Sequence, residues 1–272
     1  MYELVYVYEF EGNLEENVPA VKDEDYIGFW REGKCSFLFF HRPKKDALSR
    51  LGLCFRSELA IRHEDWESGT PLAPIKVGRI SIHPPWHAPI PAEFVVAIDP
   101  NMAFGSGFHA STRGCLMLLD KLFSGHKIRR VLDLGTGTGI LSLACLRMGA
   151  SCAVGVDSNN LAMEAARQNR EANGLTEKLH LVRGNAEDFL GVPADLVVAN
   201  MHHAAIEPLL RREEFYTKAY YLVSGLIRTE GASIRERLGE RLDLMESFSE
   251  NYWFTYLFKA RQAHEISDRP GS

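Results

Sequence analysis

Two patterns of hydrophobic and polar positions divide the chain. Its first 68 residues contain short apolar runs separated by polar turns, which is typical of β-strands joined by hairpins. The pattern predicts strands at 2–10, 26–30, 35–40 and 53–61, and a short helix between Pro43 and Gly52. The second and third of these strands flank Arg31-Glu32-Gly33-Lys34, a predicted hairpin turn. We expect this part of the chain to fold as a small α+β unit.

Prolines dominate the next stretch, residues 69–92. The prolines are Pro71, Pro74, Pro84, Pro85, Pro89 and Pro91. Because proline lacks a backbone N–H and interrupts both helices and strands, this stretch is predicted to connect two domains, with one short strand at 77–82. The predicted organisation is a small α+β domain at 1–68, a linker at 69–92, a larger domain at 93–262 and a tail at 263–272.

From Arg129 onward, short and wholly apolar strands alternate with helices. Strands are predicted at 131–134, 153–156, 179–182, 196–199, 220–223 and 251–259, and helices at 140–150 and 158–174. In the second helix, Ser158 is the predicted N-cap and Gly174 the C-terminal stop. Apolar strands separated by helices are typical of a parallel sheet that is covered on both faces. We therefore predict a doubly wound α/β fold.

Composition and charge narrow the classes of function. The 272 residues are 46% hydrophobic and 25% charged, which excludes disorder for most of the chain. The 31 basic and 36 acidic residues leave a net charge of −5, so we expect no direct binding of nucleic acid. No apolar run approaches 18 residues, and the N-terminus lacks the basic start and cleavage site of a signal peptide. We expect a cytoplasmic protein without a membrane span.

Neither cysteines nor histidines form a recognisable metal-binding pattern. The five cysteines are odd in number and include no C-x-x-C pair, which disfavours a zinc ribbon and a disulfide framework. Cys115 and Cys145 are predicted to be buried thiols. No carboxylate or cysteine completes a recognisable ligand spacing with His109, His202 and His203, so no metal is predicted.

The segment Asp133-Leu134-Gly135-Thr136-Gly137-Thr138-Gly139 carries the strongest chemical signal. It joins an apolar strand to a helix, and its glycines let the backbone bend sharply against a ligand. A dinucleotide fingerprint, G-x-G-x-x-G, would need glycine where Ile140 stands. The pattern D-x-G-x-G-x-G is instead associated with S-adenosylmethionine (SAM). A tight turn without a ligand is the alternative.

Polar residues after the next two strands extend this prediction. Asp157 lies 20 residues after Gly137, at the end of a strand, where a carboxylate can accept hydrogen bonds from both ribose hydroxyls. A helix-capping aspartate is the alternative. Asn185 and Ala186 follow the third strand, where an adenine ring would lie, although a plain polar loop is equally compatible with the residues at 184–188.

The segment from Asp99 to Thr112 makes the resemblance to one family specific. It resembles the signature D-P-G-x-A-F-G-T-G-x-H-x-T-T of the PrmA family, which methylates the eleventh protein of the large ribosomal subunit. The strand end at 195–200 resembles that family's V-V-A-N-I-L. Further likeness lies at 63–66, 84–86, 224–227 and Trp253, so the resemblance runs from about residue 63 to about residue 260.

The resemblance implies a Rossmann-like class I methyltransferase with a mostly parallel seven-stranded sheet. It implies SAM as cofactor and S-adenosylhomocysteine as product, with Phe104 in a loop that covers the cofactor. The residues predicted to bind the cofactor are Phe104, Thr112, Asp133, Gly135, Thr136, Gly137, Gly139, Asp157, Ser158, Asn185, Ala186 and Asn200. The small N-terminal domain is expected to recognise the protein substrate, with a structural or dimerising role as the alternative.

The predicted reaction is methyl transfer to amino groups, of lysine or of an N-terminus, in a ribosomal protein. Asn200 is expected to orient the amine through its side-chain oxygen, or else to end the strand and touch SAM. His202 is a candidate catalytic base, or else a polar residue at a helix start, and His109 serves either the chemistry or the loop.

Several departures from the family pattern leave the acceptor open. Met201-His202-His203 stands where the family has Ile-Leu, while Asn101 replaces glycine and Ser106 replaces threonine. One alternative is therefore a methyltransferase for another protein or for a small molecule. Another is a SAM-binding module without catalysis, although the glycine turn, Asp157 and Asn200 together disfavour it.

Overall fold

The computed structural model describes residues 4–14, 17, 23–32, 34–49, 54–62, 73–100, 103 and 105–261. Three β-sheets, of four, three and seven strands, organise this part of the chain. Gly33, Gly52, the motif at 63–66, Asn101, Phe104 and the predicted tail lie outside the described residues, so the predictions made for them stay predictions. No helix in the described ranges is long and apolar enough to cross a membrane.

The N-terminal sheet confirms the small α+β unit. Its strands β1 (Leu4–Glu11), β2 (Tyr26–Glu32), β3 (Cys35–Phe40) and β4 (Phe55–Arg62) are antiparallel in the order β2-β3-β1-β4, with helix α1 (Lys45–Ser49) between the last two in sequence. Tyr8 and Phe40 pack edge to face, with ring centroids 6.0 Å apart. Leu48 of α1 covers the same face, which gives the unit its own apolar core.

The single short strand predicted at 77–82 is wrong in detail. The structure has two strands there, β5 (Ile75–Val77) and β6 (Ile80–His83), joined by a turn in which Gly78 has a φ of +56°. Strand β7 (Phe94–Ala97) pairs with β6 in parallel and completes the three-stranded sheet. Val77, Ile80 and Ile82 are buried in the core of the larger unit. The domain boundaries themselves stay a prediction.

The seven-stranded sheet is mostly parallel, as predicted. Its strands are β8 (Arg130–Leu134), β9 (Cys152–Asp157), β10 (Leu179–Arg183), β11 (Leu196–Asn200), β12 (Tyr220–Ile227), β13 (Leu242–Glu250) and β14 (Trp253–Ala260). The order is β10-β9-β8-β11-β12-β14-β13, with the first five strands parallel and β14 antiparallel to both neighbours. The last predicted strand begins two residues later than expected, because Asn251 and Tyr252 form a turn after β13.

Helices cover both faces of this sheet. They are α2 (Ala110–Gly125), α3 (Ile140–Arg147), α4 (Asn160–Ala172), α5 (His203–Leu209) and α6 (Arg228–Gly239). Successive residues of β8 face opposite cores: Val131 packs with α2 and α3, and Leu132 packs with α5 and α6. Cys115 and Cys145 are buried in the first of these cores, as predicted.

The N-terminal sheet packs directly on helix α4. Leu161 lies among Val5, Val7 and Ile27 of the sheet. A Cβ atom on Gly28 of β2 would overlap the side chain of Leu161, so glycine at this position permits the close approach. The α4 helix therefore joins the N-terminal unit to the larger sheet.

Candidate active site

A cavity of about 850 Å³ opens at the carboxyl ends of strands β8, β9 and β11. Ligands of open parallel sheets bind at this edge. Nine of the residues predicted to bind the cofactor line the cavity: Thr112, Gly135, Thr136, Gly137, Asp157, Ser158, Asn185, Ala186 and Asn200. Asp133 and Gly139 lie behind the lining, and Phe104 is outside the described residues. Most of the residues that were predicted separately from the sequence therefore line the same cavity.

The glycine turn owes its shape to left-handed backbone. Gly135, Gly137 and Gly139 have φ angles of +71°, +56° and +81°. Any residue with a Cβ atom would cost about 1–2 kcal/mol at each of these positions. The N–H groups of Gly135 and Thr136 both donate to the carbonyl of Val156, at 2.8 and 3.0 Å, which fixes the turn against the end of β9.

Asp133 supports this turn from below the cavity. Its side chain is 1% exposed, and its Oδ2 accepts hydrogen bonds from the Thr136 hydroxyl at 2.8 Å and the Ser142 hydroxyl at 2.7 Å. Burial raises the pKa of this carboxyl to about 6, although the two hydroxyl donors oppose the increase. Asp133 therefore supports Thr136, which lines the cavity, and does not line the cavity itself.

The buried Asp133 makes a definite contribution to the pH dependence of stability. Its pKa is about 6 in the folded protein against an ordinary value of 3.8, so between these values the folded state holds more protons and stability falls as pH rises. Relative to Asp133→Asn, the free energy of unfolding of the wild type should increase by about 1.4 kcal/mol between pH 7 and pH 5. Urea unfolding of both proteins at the two pH values measures this. A difference that does not change with pH would contradict it.

Asp157 links the glycine turn to the start of α4. Its Oδ2 accepts the N–H of Gly137 at 3.0 Å, and its Oδ1 accepts the N–H of Asn159 at 2.9 Å. Burial raises the pKa of this carboxyl, against the effect of those N–H donors. The N-cap of α4 is Asn159, whose side chain accepts the N–H of Leu161 at 2.8 Å. The prediction of Ser158 as N-cap is therefore wrong, because Ser158 lies one residue too early and lines the cavity instead.

The segment that precedes α2 forms the opposite wall. The hydroxyl of Thr138, in the glycine turn, donates to the carbonyl of Gly105 at 2.8 Å. His109 is the N-cap of α2: its Nδ1 accepts the N–H of Ser111 at 3.3 Å. Its ring also contacts the ring of Trp253, with centroids 4.6 Å apart. These contacts support the predicted role of His109 in the loop; His109 also lines the cavity, so its role in the chemistry stays a prediction.

Two asparagines that were not predicted as site residues, Asn169 in α4 and Asn173 at its C-cap, bind the backbone of residues 97–99, which precede this segment. Asn169 donates to the carbonyls of Asp99 and Thr138, at 2.9 and 3.0 Å, and accepts the N–H of Asp99. One turn later, Asn173 makes a reciprocal pair with the backbone of Ala97, at 3.0 and 2.7 Å. The only sequence signal was two amides spaced four residues apart, which lie on one helix face.

The end of β11 closes the cavity on the side away from Asp157. The Nδ2 of Asn200 lies 3.5 Å from the hydroxyl oxygen of Thr112, which orients the amide. Met201 packs so closely on Gly135 that a Cβ there would overlap its thioether. His202 lines the cavity just before α5. His203 turns toward Glu207 instead, with Nε2 and Oε1 3.5 Å apart.

The described residues around the cavity do not form a set of metal ligands. In the described part of the chain, no group of three or more His, Cys, Asp or Glu side chains is placed to hold a metal ion. The cavity is instead lined by the Asp157 carboxylate after β9, by the glycine turn after β8 and by the Asn200 carboxamide after β11. The carboxylate and the carboxamide can both accept hydrogen bonds from the hydroxyl and amino groups of a polar ligand.

Comparisons with known proteins give a consistent result. The model of the family described as ribosomal protein L11 methyltransferase (PrmA) matches residues 44–261, so the likeness begins about twenty residues earlier than the motifs indicated. The ribosomal protein L11 methyltransferase of Caldanaerobacter subterraneus subsp. tengcongensis is 34% identical over 209 residues, which are 74% of this chain and 66% of that protein. The protein of the same name from Gloeobacter violaceus is 35% identical over 201 residues, 71% of this chain and 62% of that one.

A solved structure supports the fold independently. The ribosomal protein L11 methylase from Lactobacillus delbrueckii subsp. bulgaricus superposes with a TM-score of 0.59 at 23% identity, over 70% of this chain and all of that chain. At this identity the likeness establishes the fold alone. The chain spans slightly less than two thirds of the length of the curated relatives that it matches, from 60 to 66% in the first four.

Proposed function

Since the chain belongs to the PrmA family of ribosomal protein L11 methyltransferases, we propose that it transfers methyl groups from SAM to amino groups of a ribosomal protein. The observation that carries this proposal is that Asp157 and Asn200 stand at opposite ends of one cavity, with the glycine turn between them. This arrangement suits an adenosyl nucleoside whose ribose meets Asp157 and whose sulfonium lies near Asn200.

The residues present fit SAM at each of its parts. A carboxylate accepts hydrogen bonds from neighbouring hydroxyls, so Asp157 can bind the two hydroxyls of a ribose. Asn185 and Ala186 border the end of the cavity where adenine would lie. The N-terminus of α3 carries the positive end of the helix dipole, which favours negative charge and suits the carboxylate of the methionine part. When bound, SAM supplies a methyl group already activated by its sulfonium.

Asn200 would position the amine that attacks this methyl group. The side-chain oxygen of Asn200 accepts an N–H of the amine and so directs the nitrogen lone pair toward the methyl carbon. Thr112 holds the amide in place. As the new N–C bond forms, the S–C bond breaks, and the nitrogen must give up one proton overall. His202 lies in the cavity wall, where it is available to accept that proton.

The N-terminal unit is the part we assign to substrate recognition. Its sheet packs through Gly28 on the same helix, α4, that follows Asp157, so it is held in a fixed relation to the cavity. A ribosomal protein as substrate also places the reaction in the cytoplasm. It requires no direct contact with nucleic acid, in agreement with the net charge of −5.

Radiolabelled SAM tests the proposal directly. We expect label on purified ribosomal protein L11, in amino groups, and none on a mixture of small amines at the same concentration. Label on the small amines alone would refute the protein substrate and favour the alternative that Met201 and His202 suggest, since these residues replace Ile-Leu in the wall next to Asn200. Binding of SAM without any transfer would favour the silent module.

A further inference from the structure

The two-residue turn between β13 and β14 has an unusual backbone. Glu250 pairs with Trp253 across the hairpin, and the loop residues Asn251 and Tyr252 have φ angles of +47° and +70°. Two-residue hairpin loops with positive φ at both positions strongly prefer Asn-Gly. Asparagine at position 251 fits this preference, whereas position 252, where glycine is preferred, is occupied by tyrosine.

Nothing in the fold of the hairpin explains the tyrosine. A side chain in the left-handed region costs about 1–2 kcal/mol relative to ordinary backbone. Tyr252 is 78% exposed, so packing within the chain recovers little of that cost. Residues held in such conformations cluster at functional sites, where the strained position presents a side chain outward.

The turn is fixed beside the mouth of the active-site cavity. Arg113, in the first turn of α2, donates two hydrogen bonds to the carboxylate of Glu250, at 3.1 and 2.7 Å. On the other side of the turn, Trp253 lines the cavity and contacts the ring of His109. Glu250 and Trp253, which flank the two-residue turn, are thus both held against the start of α2.

We propose that Tyr252 contacts the protein substrate next to the amine that is methylated, and so favours polypeptide acceptors over small amines. The inference rests on the proposed function and deepens it. An exposed aromatic ring can cover the alkyl stem or the cationic head of a neighbouring lysine or arginine. Trp253 lines the cavity but Tyr252 is not among its lining residues, so a small amine held beside Asn200 would not contact this ring.

The matched variants Tyr252→Gly, Tyr252→Phe and Asn251→Gly separate the ring from the turn. Tyr252→Gly should raise the KM for ribosomal protein L11 about tenfold, the loss expected for an aromatic contact at an interface. The kcat and the Kd for SAM should remain unchanged, and Tm should be no lower than in the wild type because glycine suits the backbone. Tyr252→Phe keeps the ring and should keep the KM. Asn251→Gly alters the same turn without touching the ring and should also keep the KM.

Each other result would overturn the inference. An unchanged KM in Tyr252→Gly would show that the ring has no partner, and a lowered Tm would show that the ring packs within the chain. An equal rise of KM in Asn251→Gly would assign the effect to the shape of the turn. Failure of the wild type to methylate the ribosomal protein would refute the proposed function and this inference together, whereas wild-type transfer with an unaffected Tyr252→Gly refutes this inference alone.

Discussion

Asp157→Asn should weaken the binding of SAM about a hundredfold. A hydrogen bond to a charged group contributes about 1.5–3 kcal/mol, and each tenfold change in Kd corresponds to about 1.4 kcal/mol. The substitution removes the negative charge that we propose faces the ribose hydroxyls. The two oxygens of the Asp157 carboxylate accept the N–H groups of Gly137 and Asn159. In Asp157→Asn, the side-chain NH2 group replaces one of these oxygens and cannot accept a hydrogen bond. One of the two bonds is therefore lost, which loosens the glycine turn.

Isothermal titration calorimetry with SAM and with S-adenosylhomocysteine measures this loss. Asp243→Asn is the matched control, because that carboxylate lies on β13 and pairs at the surface with Arg261, 3.3 Å away. It should bind SAM as the wild type does. A folded Asp157→Asn with an affinity within threefold of wild type would remove Asp157 from the binding site and with it the basis for placing the ribose.

Strands that are apolar on both faces made the centre of the sheet predictable. Val131 and Leu132 face opposite cores, and such runs are typical of parallel strands covered by helices. Strand β13 offered no such signal, because it is an edge strand in which only Leu242 is buried. The two strands β5 and β6 were not predicted separately for a related reason. The run from Ile75 to His83 is short, and Gly78 alone marks the turn within it.

The candidate site was predictable where it follows the ends of strands. The glycine turn and Asp157 could be placed in the site because parallel strands end at one edge of a sheet, whereas Asn200 was indicated by the family resemblance; all three line one cavity. Asn169 and Asn173 were not predictable in this way. Their partners Asp99 and Ala97 are 70 and 76 residues distant in sequence, and no local pattern encodes such a contact.

Asn200→Ala should lower kcat about a hundredfold, the size of effect that a misplaced reactant causes. The variant removes the oxygen proposed to hold the attacking amine and leaves Asp157 and the glycine turn in place. The Kd for SAM should therefore change little. If Asn200 only ends the strand and touches SAM, the opposite pattern follows, with a weaker Kd and an almost unchanged kcat at saturating SAM.

The variant Thr112→Val, measured beside Asn200→Ala, separates the orientation of the Asn200 amide from the contact that this amide makes with the amine. The Thr112 hydroxyl, 3.5 Å from the Nδ2 of Asn200, helps to orient the amide but does not reach the amine in our proposal. Losing it should lower kcat by less than Asn200→Ala, about tenfold, since the oxygen of Asn200 remains available to the amine. Single-turnover rates with labelled SAM and ribosomal protein L11 give both values. Equal losses in the two variants would mean that the hydroxyl of Thr112, rather than the amide, meets the substrate, and the assignment of Asn200 would have to be abandoned.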